Sequence, residues 1–455
     1  MKPRGWSAIV LAALLATTAG RVEAVTLTLQ DCVEQAVENS PGLASGRALV
    51  AAWKADMTKK RGTTLPYFSG LLEGYMLNGN PATQWFPTGI SEPGFGAIPG
   101  RNVHWDPVGI EQIGVTYPLI SEGSLMGLND PPAVATSRAQ MTEQEAENII
   151  TMEKVVFEVV TDYIYITSYR EQLATQREAV ERAKEQLAIV KDEERQNLKL
   201  PQDVEIAQAQ LDAAEQAMQA ATNNIDTYMS DLSMVVGHGS GADFDLIGQP
   251  PPTPPLPPLP QFLDQVMPGH PALRVQQGKV EIQRQQLRAD IGNFWPSATL
   301  TTQFTGAQNL EYFNGNNRAP RPTAFESYLS LTIPVYDFGQ RRAAIDESTE
   351  NVLAQKDLVG DIDRQTRNSI ATAYNEIATY AETAATSLSD YVKSDRAAML
   401  ARAQADEGVG DELTWVQDQL SALQSKATLQ TAQLNERLQY ASLQNLAGGT
   451  WHWAP

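Results

Sequence analysis

Residues 325–342 read F-E-S-Y-L-S-L-T-I-P-V-Y-D-F-G-Q-R-R, and the fold is decided in this stretch because two structural periods meet there. Phe325, Leu329, Leu331, Ile333 and Val335 recur at period two, with Glu326, Tyr328, Ser330 and Thr332 on the other face, which predicts a strand between two different environments. Beyond Gly339 the pattern changes. From 340 to 407 there is no Pro and a single Gly, while Ala, Gln, Arg, Asp, Glu and Leu dominate. About 65 residues of continuous helix would reach on the order of 100 Å, too long for one globular domain.

The layout around this passage is written twice. With a shift of 230 residues, Leu29 meets Leu259, Cys32 meets Phe262, Val33 meets Leu263, Pro41 meets Pro271, Leu43 meets Leu273 and Pro66 meets Pro296. Two repeats are therefore expected, at 25–248 and 261–455, joined by the Pro-rich linker 249–260, Q-P-P-P-T-P-P-L-P-P-L-P, which suits an extended polyproline connector. Thr28 with Asp31 resembles a capping box ahead of an amphipathic helix, and the match of Cys32 to Phe262 places the only cysteine on a buried apolar face.

Each repeat then holds two strands, expected at about 65–78 and 108–120 and at about 297–308 and 325–335. Ala298, Leu300, Thr302 and Phe304 alternate with Ser297, Thr299, Thr301 and Gln303, as Ile113, Val115, Tyr117 and Leu119 do with Gln112, Gly114 and Thr116. Strands of about ten residues suit a tilted bilayer crossing, and period two equally suits a half-buried sheet. The loops 79–107 and 309–323 are rich in Gly, Pro, Asn and aromatics such as Trp85, Phe86, Phe95 and Trp105, which serve as loop packing and interfacial anchors or as a ligand platform.

Helical hairpins are expected at about 133–236 and about 338–446. Ile149, Met152, Val155, Val156, Val159, Val160, Tyr163 and Ile166 form a thin apolar stripe, and Ala207, Ala213, Ala214, Ala217 and Ala221 permit close helix approach. Such hairpins are expected to complete their packing on other copies of the chain.

Residues 1–24 carry Lys2 and Arg4, an apolar run and a Val22-Glu23-Ala24 ending, the pattern of a secretory signal peptide. Cleavage removes three positive charges and one negative, taking the formal charge from −20 to −22, which argues against nucleic-acid partners and fits either a solvated helical surface or an acidic interior. No later run of 18 apolar residues occurs, so any membrane span is expected to be a β-barrel. His104, His238, His270 and His452 are scattered, no catalytic, metal or cofactor motif appears, and Asp361 with Asp363 lies in a polar helical run. No enzymatic activity is expected.

Residues 29–41, L-Q-D-C-V-E-Q-A-V-E-N-S-P, together with Pro118-Leu119-Ile120 and 334–341, P-V-Y-D-F-G-Q-R, resemble the outer-membrane efflux protein family, the TolC-type channels. The resemblance implies a mixed fold of membrane β-barrel and long α-helical hairpins. In it three copies build a twelve-stranded β-barrel in the lipid of the outer membrane of a Gram-negative bacterium, continued by a periplasmic α-barrel. It implies the exit duct of a tripartite efflux or type I secretion system, docking with a periplasmic membrane-fusion adaptor and an inner-membrane pump of RND or ABC type. The hairpin tips that the resemblance assigns to the adaptor are Asn197, Leu198, Lys199, Leu200 and Pro201, and Gly408, Val409 and Gly410. Asp406, Glu407, Asp411 and Glu412 beside the second tip are candidate pore-end carboxylates, or simply charges that flank a helix start. A periplasmic coiled-coil adaptor or spacer without a pore shares the hairpins and is the alternative reading.

Overall fold

The computed structural model describes residues 25–78, 105–121, 123–238, 244–249, 251, 253–309 and 323–449. The expected signal segment, Trp85, Phe86, Phe95, His104 and His452 lie outside the described residues.

After a three-residue strand β1 (Val25–Leu27) come α1 (Leu29–Asn39), α2 (Pro41–Gly62), β2 (Tyr67–Asn78), β3 (Trp105–Ser121), the short β4 (Ser124–Leu125), α3 (Pro132–Arg195) and α4 (Pro201–Val236). A second short strand, β5 (Phe244–Leu246), precedes α5 (Leu259–Val266), α6 (Pro271–Gly292), β6 (Ser297–Asn309), β7 (Thr323–Thr332), α7 (Gln340–Asp406) and α8 (Glu412–Leu446). The order short helix, 22-residue helix, two strands, long helix, shorter helix thus occurs twice. Local chemistry explains the helix starts. Asp31 Oδ2 accepts from the Thr28 amide at 2.9 Å while Thr28 Oγ1 accepts from the Asp31 amide at 3.3 Å, a reciprocal capping box. Ser40 caps α2 ahead of Pro41, and His270 caps α6 ahead of Pro271, its Nδ1 accepting from the Ala272 amide at 3.3 Å.

By contacts the chain divides into two compact units, one of residues 1–39, 155–253 and 380–438, the other of residues 40–154, 254–379 and 439–455. Each unit draws on both sequence repeats. In the first, β1 and β5 pair in parallel, and Leu27, Cys32 and Ala36 pack against Val159, Tyr163 and Ile166 of α3, Leu232 and Val236 of α4, and Phe244 and Leu246. Burial pushes the Cys32 thiol up to about 12, so it behaves as a small core hydrophobe. Tyr163 Oη donates to the Ile247 carbonyl at 2.9 Å, and Arg170 donates to the Leu246 carbonyl at 3.0 Å and to Asp245 at 2.6 Å, fixing the short β5 onto α3.

In the second unit, Phe262, Met267 and Leu273 pack against Ile370, Ala373 and Ile377 of α7 and Tyr440, Leu443 and Ala447. The same unit holds the antiparallel sheet, in the order β2-β3-β6-β7 with β4 on the end of β3. β7 closes at Thr332, short of the expected 335. Its partner begins at Ser297, which pairs with Thr332, and Pro296 and Pro334 have no amide to extend the ladder. Leu119, expected on the apolar face, is instead the extra residue of a bulge between Pro118 and Ile120, so that Ile120 pairs with Ala298 in its place.

Candidate functional site

Two features set this molecule apart from a helical bundle: the sheet with its two contrasting faces, and the turns that close the helical hairpins.

Residues directly opposite in an antiparallel ladder share a face. The register therefore puts Phe68, Gly70 and Leu72 of β2 with Ile113, Val115 and Tyr117 of β3, Leu300 and Phe304 of β6, and Phe325, Leu329 and Leu331 of β7, a mostly apolar face that also carries Glu111 opposite Leu72 and the Thr302–Ser327 pair. Phe68, Leu72, Ile113, Phe304, Phe325, Leu329 and Leu331 are 49–81% exposed. The apolar pattern continues past the strand into Ile333 and Val335, also exposed. The opposite face carries Ser69, Leu71, Glu73, Gln112, Thr116, Thr299, Thr301, Gln303, Glu326, Tyr328 and Ser330. There Gln112 Nε2 donates to Gln303 Oε1, and Gln303 Nε2 donates to Glu326 Oε2 at 3.1 Å, linking three strands through side chains. In this sheet β2 and β7 are the edges.

Where β7 gives way to α7, Asp337 organises the turn. Its carboxylate accepts from the Gly339 amide at 3.2 Å, the Arg341 amide at 3.0 Å and Arg341 Nε at 2.6 Å, while the Arg341 guanidinium lies 5.2 Å from the centre of the Phe294 ring. Phe338 and Gly339 are both left-handed, with φ of 55° and 89°. The D-F-G sequence is a carboxylate cap on a tight turn that starts the long helix.

The first hairpin tip ends α3 with a left-handed Asn197, φ 59°, and the Leu198 amide donates back to the Glu193 carbonyl at 2.8 Å. Leu198 and Leu200 are exposed, Lys199 is half-buried, and Pro201 opens α4, with Asp203 Oδ2 accepting from the Leu200 amide at 2.8 Å. The second tip uses Gly408, φ 71°, with the Val409 amide donating to the Gln404 carbonyl at 3.0 Å and Val409 itself exposed. A Cβ on Gly410 would stand 2.9 Å from Gln404 Cβ, so that position takes no side chain without movement.

Asp406, Glu407, Asp411 and Glu412 are all exposed. Asp406 lies 3.9 Å from Arg402 Nε, and Asp411 Oδ1 accepts from the Leu413 amide at 3.4 Å at the start of α8. Leu413 packs with Val180, Ala183, Leu187 and Val190 of α3 and with Ala207 and Leu211 of α4. Two residues on, the Trp415 ring has the Arg182 and Arg402 guanidinium groups each 5.5 Å from its centre. This stacking and the Gln112–Gln303–Glu326 row are features the sequence reading did not single out; the alternation of Gln and Glu with apolar residues was the one visible sign of the row.

Among the described residues no group of His, Cys, Asp or Glu is placed to hold a metal ion, and no helix is long and apolar enough to cross a membrane. Asp361 and Asp363 are each engaged by an arginine on their own helix, Arg364 at 3.0 Å and Arg367 at 2.9 Å. They form a solvated charged face.

Residues 262–449 match the model of the outer membrane efflux protein family. The protein CyaE of Bordetella pertussis is 24% identical over 355 residues, covering 77% of this chain and 69% of CyaE. Among solved structures, CusC superposes with a TM-score of 0.73 at 14% identity over 96% of each chain. VceC of Vibrio cholerae, an outer membrane protein, gives 0.72 at 15% identity over 92% of this chain and 96% of its own. The open state of the MtrE outer membrane channel of Neisseria gonorrhoeae gives 0.70 at 16% identity over 99% and 98%.

Proposed function

We propose, from an outer membrane efflux protein domain over residues 262–449 and a whole-chain fold shared with TolC-type outer-membrane channels, that this protein is a passive outer-membrane exit duct. Three copies close their four-stranded sheets into a twelve-stranded barrel, and their hairpins form an α-barrel in the periplasm. The hairpin tips around Asn197 and Gly408 meet a membrane-fusion adaptor, and an inner-membrane pump of RND or ABC type supplies the energy.

One observation carries the reading: a sheet with a predominantly apolar exposed face, a predominantly polar opposite face and two edge strands. In water such a face and such edges are a liability; closed into a barrel in lipid, both are satisfied. The dimensions agree. Nine residue steps along β7, from Thr323 to Thr332, give about 30 Å of extended chain, and a strand tilt of about 40° projects this onto about 23 Å, close to the height of about 25 Å of an outer-membrane apolar band. Four strands fall short of the eight of the smallest usual membrane barrel, so several copies must share one. A periplasmic adaptor or spacer would have no use for this apolar face.

The test is reconstitution of the full mature chain. Retention in the outer membrane through detergent-free washing, a trimer mass in mild detergent and conductance across a planar bilayer are the expected results. Release by washing, or a stable conducting monomer, overturns the proposal.

A further inference from the structure

Resting on the barrel reading above, we infer that Glu326 is a determinant of the charge preference of the barrel lumen, making that part of the duct more cation-favouring. Glu326 stands on the polar face of β7, the face that closure would turn inward, and it is half-buried there. Its carboxylate is the end of the row that begins at Gln112 and passes through Gln303. The orientation of the whole row follows from that end. An ionised carboxylate can only accept, so the Gln303 amide must turn its NH2 toward Glu326 and its carbonyl toward Gln112, whose NH2 then faces Gln303. The Gln303 amide thereby donates to the carboxylate, and the Gln112 amide donates to Gln303 Oε1 behind it, a chain that holds the negative charge in a fixed place.

Nothing within the sheet offsets that charge, and Glu73 of β2 adds a second carboxylate to the same face. The four long strands contain no Lys, Arg or His, and the described ion pairs do not include Glu326. A cross-strand row serving only to stitch the sheet would work equally well with a third amide, so the carboxylate is the informative part.

Its reach can be estimated. Twelve strands spaced about 4.8 Å apart and tilted about 40–45° enclose a radius of about 12–13 Å. Three carboxylates at that distance from the axis, in water and at 10 mM salt where the screening length is about 30 Å, enrich cations about threefold on the axis and deplete anions equally. The cation-to-anion ratio then changes by about eightfold. Near physiological salt, with a screening length of about 8 Å, the change falls to about twofold, and at 1 M it vanishes.

The experiment is reversal-potential measurement on the reconstituted full-length trimer under a salt gradient, at 10 mM, 150 mM and 1 M. Glu326→Gln keeps an acceptor for Gln303 and removes only the charge. It is expected to lower the cation-to-anion permeability ratio by about eightfold at 10 mM and about twofold at 150 mM, with no change at 1 M. Thr301→Lys, a positive charge added on the same face opposite Tyr328, is expected to shift the ratio in the same direction and serves if the first variant does not assemble. A conducting Glu326→Gln trimer with wild-type selectivity at 10 mM overturns the assignment of Glu326 alone, as does an unshifted Thr301→Lys trimer where only that variant assembles. A wild-type trimer that does not conduct overturns the duct itself.

Discussion

Replacing Glu153 by Gln should change how stability responds to pH, because this carboxyl sits in the α3 helix with 6% of its surface exposed and no charged neighbour to compensate it. The turn after α8 closes over it: a methyl built on Gly449, itself left-handed at φ 74°, would stand 2.6 Å from Glu153 Cγ. Burial alone pushes the carboxyl up to about 7 from 4.5. The direction of the linkage follows. Above pH 7 the native state carries a desolvated charge that the unfolded chain hydrates freely, a cost of about 3 kcal/mol. As pH falls from 7 toward 4.5 the native state takes up a proton that the unfolded state does not, so the wild type gains that stability back, and below 4.5 the difference is constant. Glu153→Gln is neutral throughout and lacks this response. Urea unfolding followed by circular dichroism at pH 8, 7, 6 and 5, with the variant compared with wild type at each pH, cancels every other titrating group. The variant is expected to gain about 2.5 kcal/mol relative to wild type between pH 5 and pH 8. A stability difference that stays flat across this range would refute the reasoning, whatever its absolute size.

Leu232→Ala removes a fully buried side chain from the cluster around Cys32 and Tyr163 and should cost about 2–5 kcal/mol of unfolding free energy by the same denaturation assay. At the second hairpin tip, Asp411→Asn with Glu412→Gln keeps the cap on the Leu413 amide while removing exposed charge. Bilayer recordings should show a lower cation preference with the trimer intact, whereas unchanged selectivity would leave these residues a helix-capping role only.

The parts of this fold legible in the sequence are those specified by neighbours along the chain. Thr28 and Asp31 are three residues apart, and their reciprocal hydrogen bonds form as the spacing requires. Asn197, standing where a helix-ending glycine is common, adopts the left-handed turn. The match of Cys32 to Phe262 correctly indicated burial, because both positions face the interior from the same point on a repeated helix. Strand alternation was legible too, up to Pro118, where a bulge exchanges Leu119 for Ile120. A bulge depends on what the partner strand does, and that is not written locally.

Contacts between distant stretches escaped for the same reason. β1 and β5 are three residues each, too short to display a period, and pair across more than two hundred residues of chain. Arg182 and Trp415 meet only because the first turn of α8 packs onto α3 and α4. The row from Gln112 to Glu326 is the sharpest case. Each residue alone is an ordinary polar position in a strand, and the row exists only in one register of three strands. Slipping one strand by a single residue would carry its member of the row to the apolar face and leave a carboxylate or an amide against lipid. Burying that polar group would cost more than the row's hydrogen bonds supply, so the apolar face enforces the register that assembles the row. The charge proposed for the lumen is thus positioned by the side of the sheet that faces away from it.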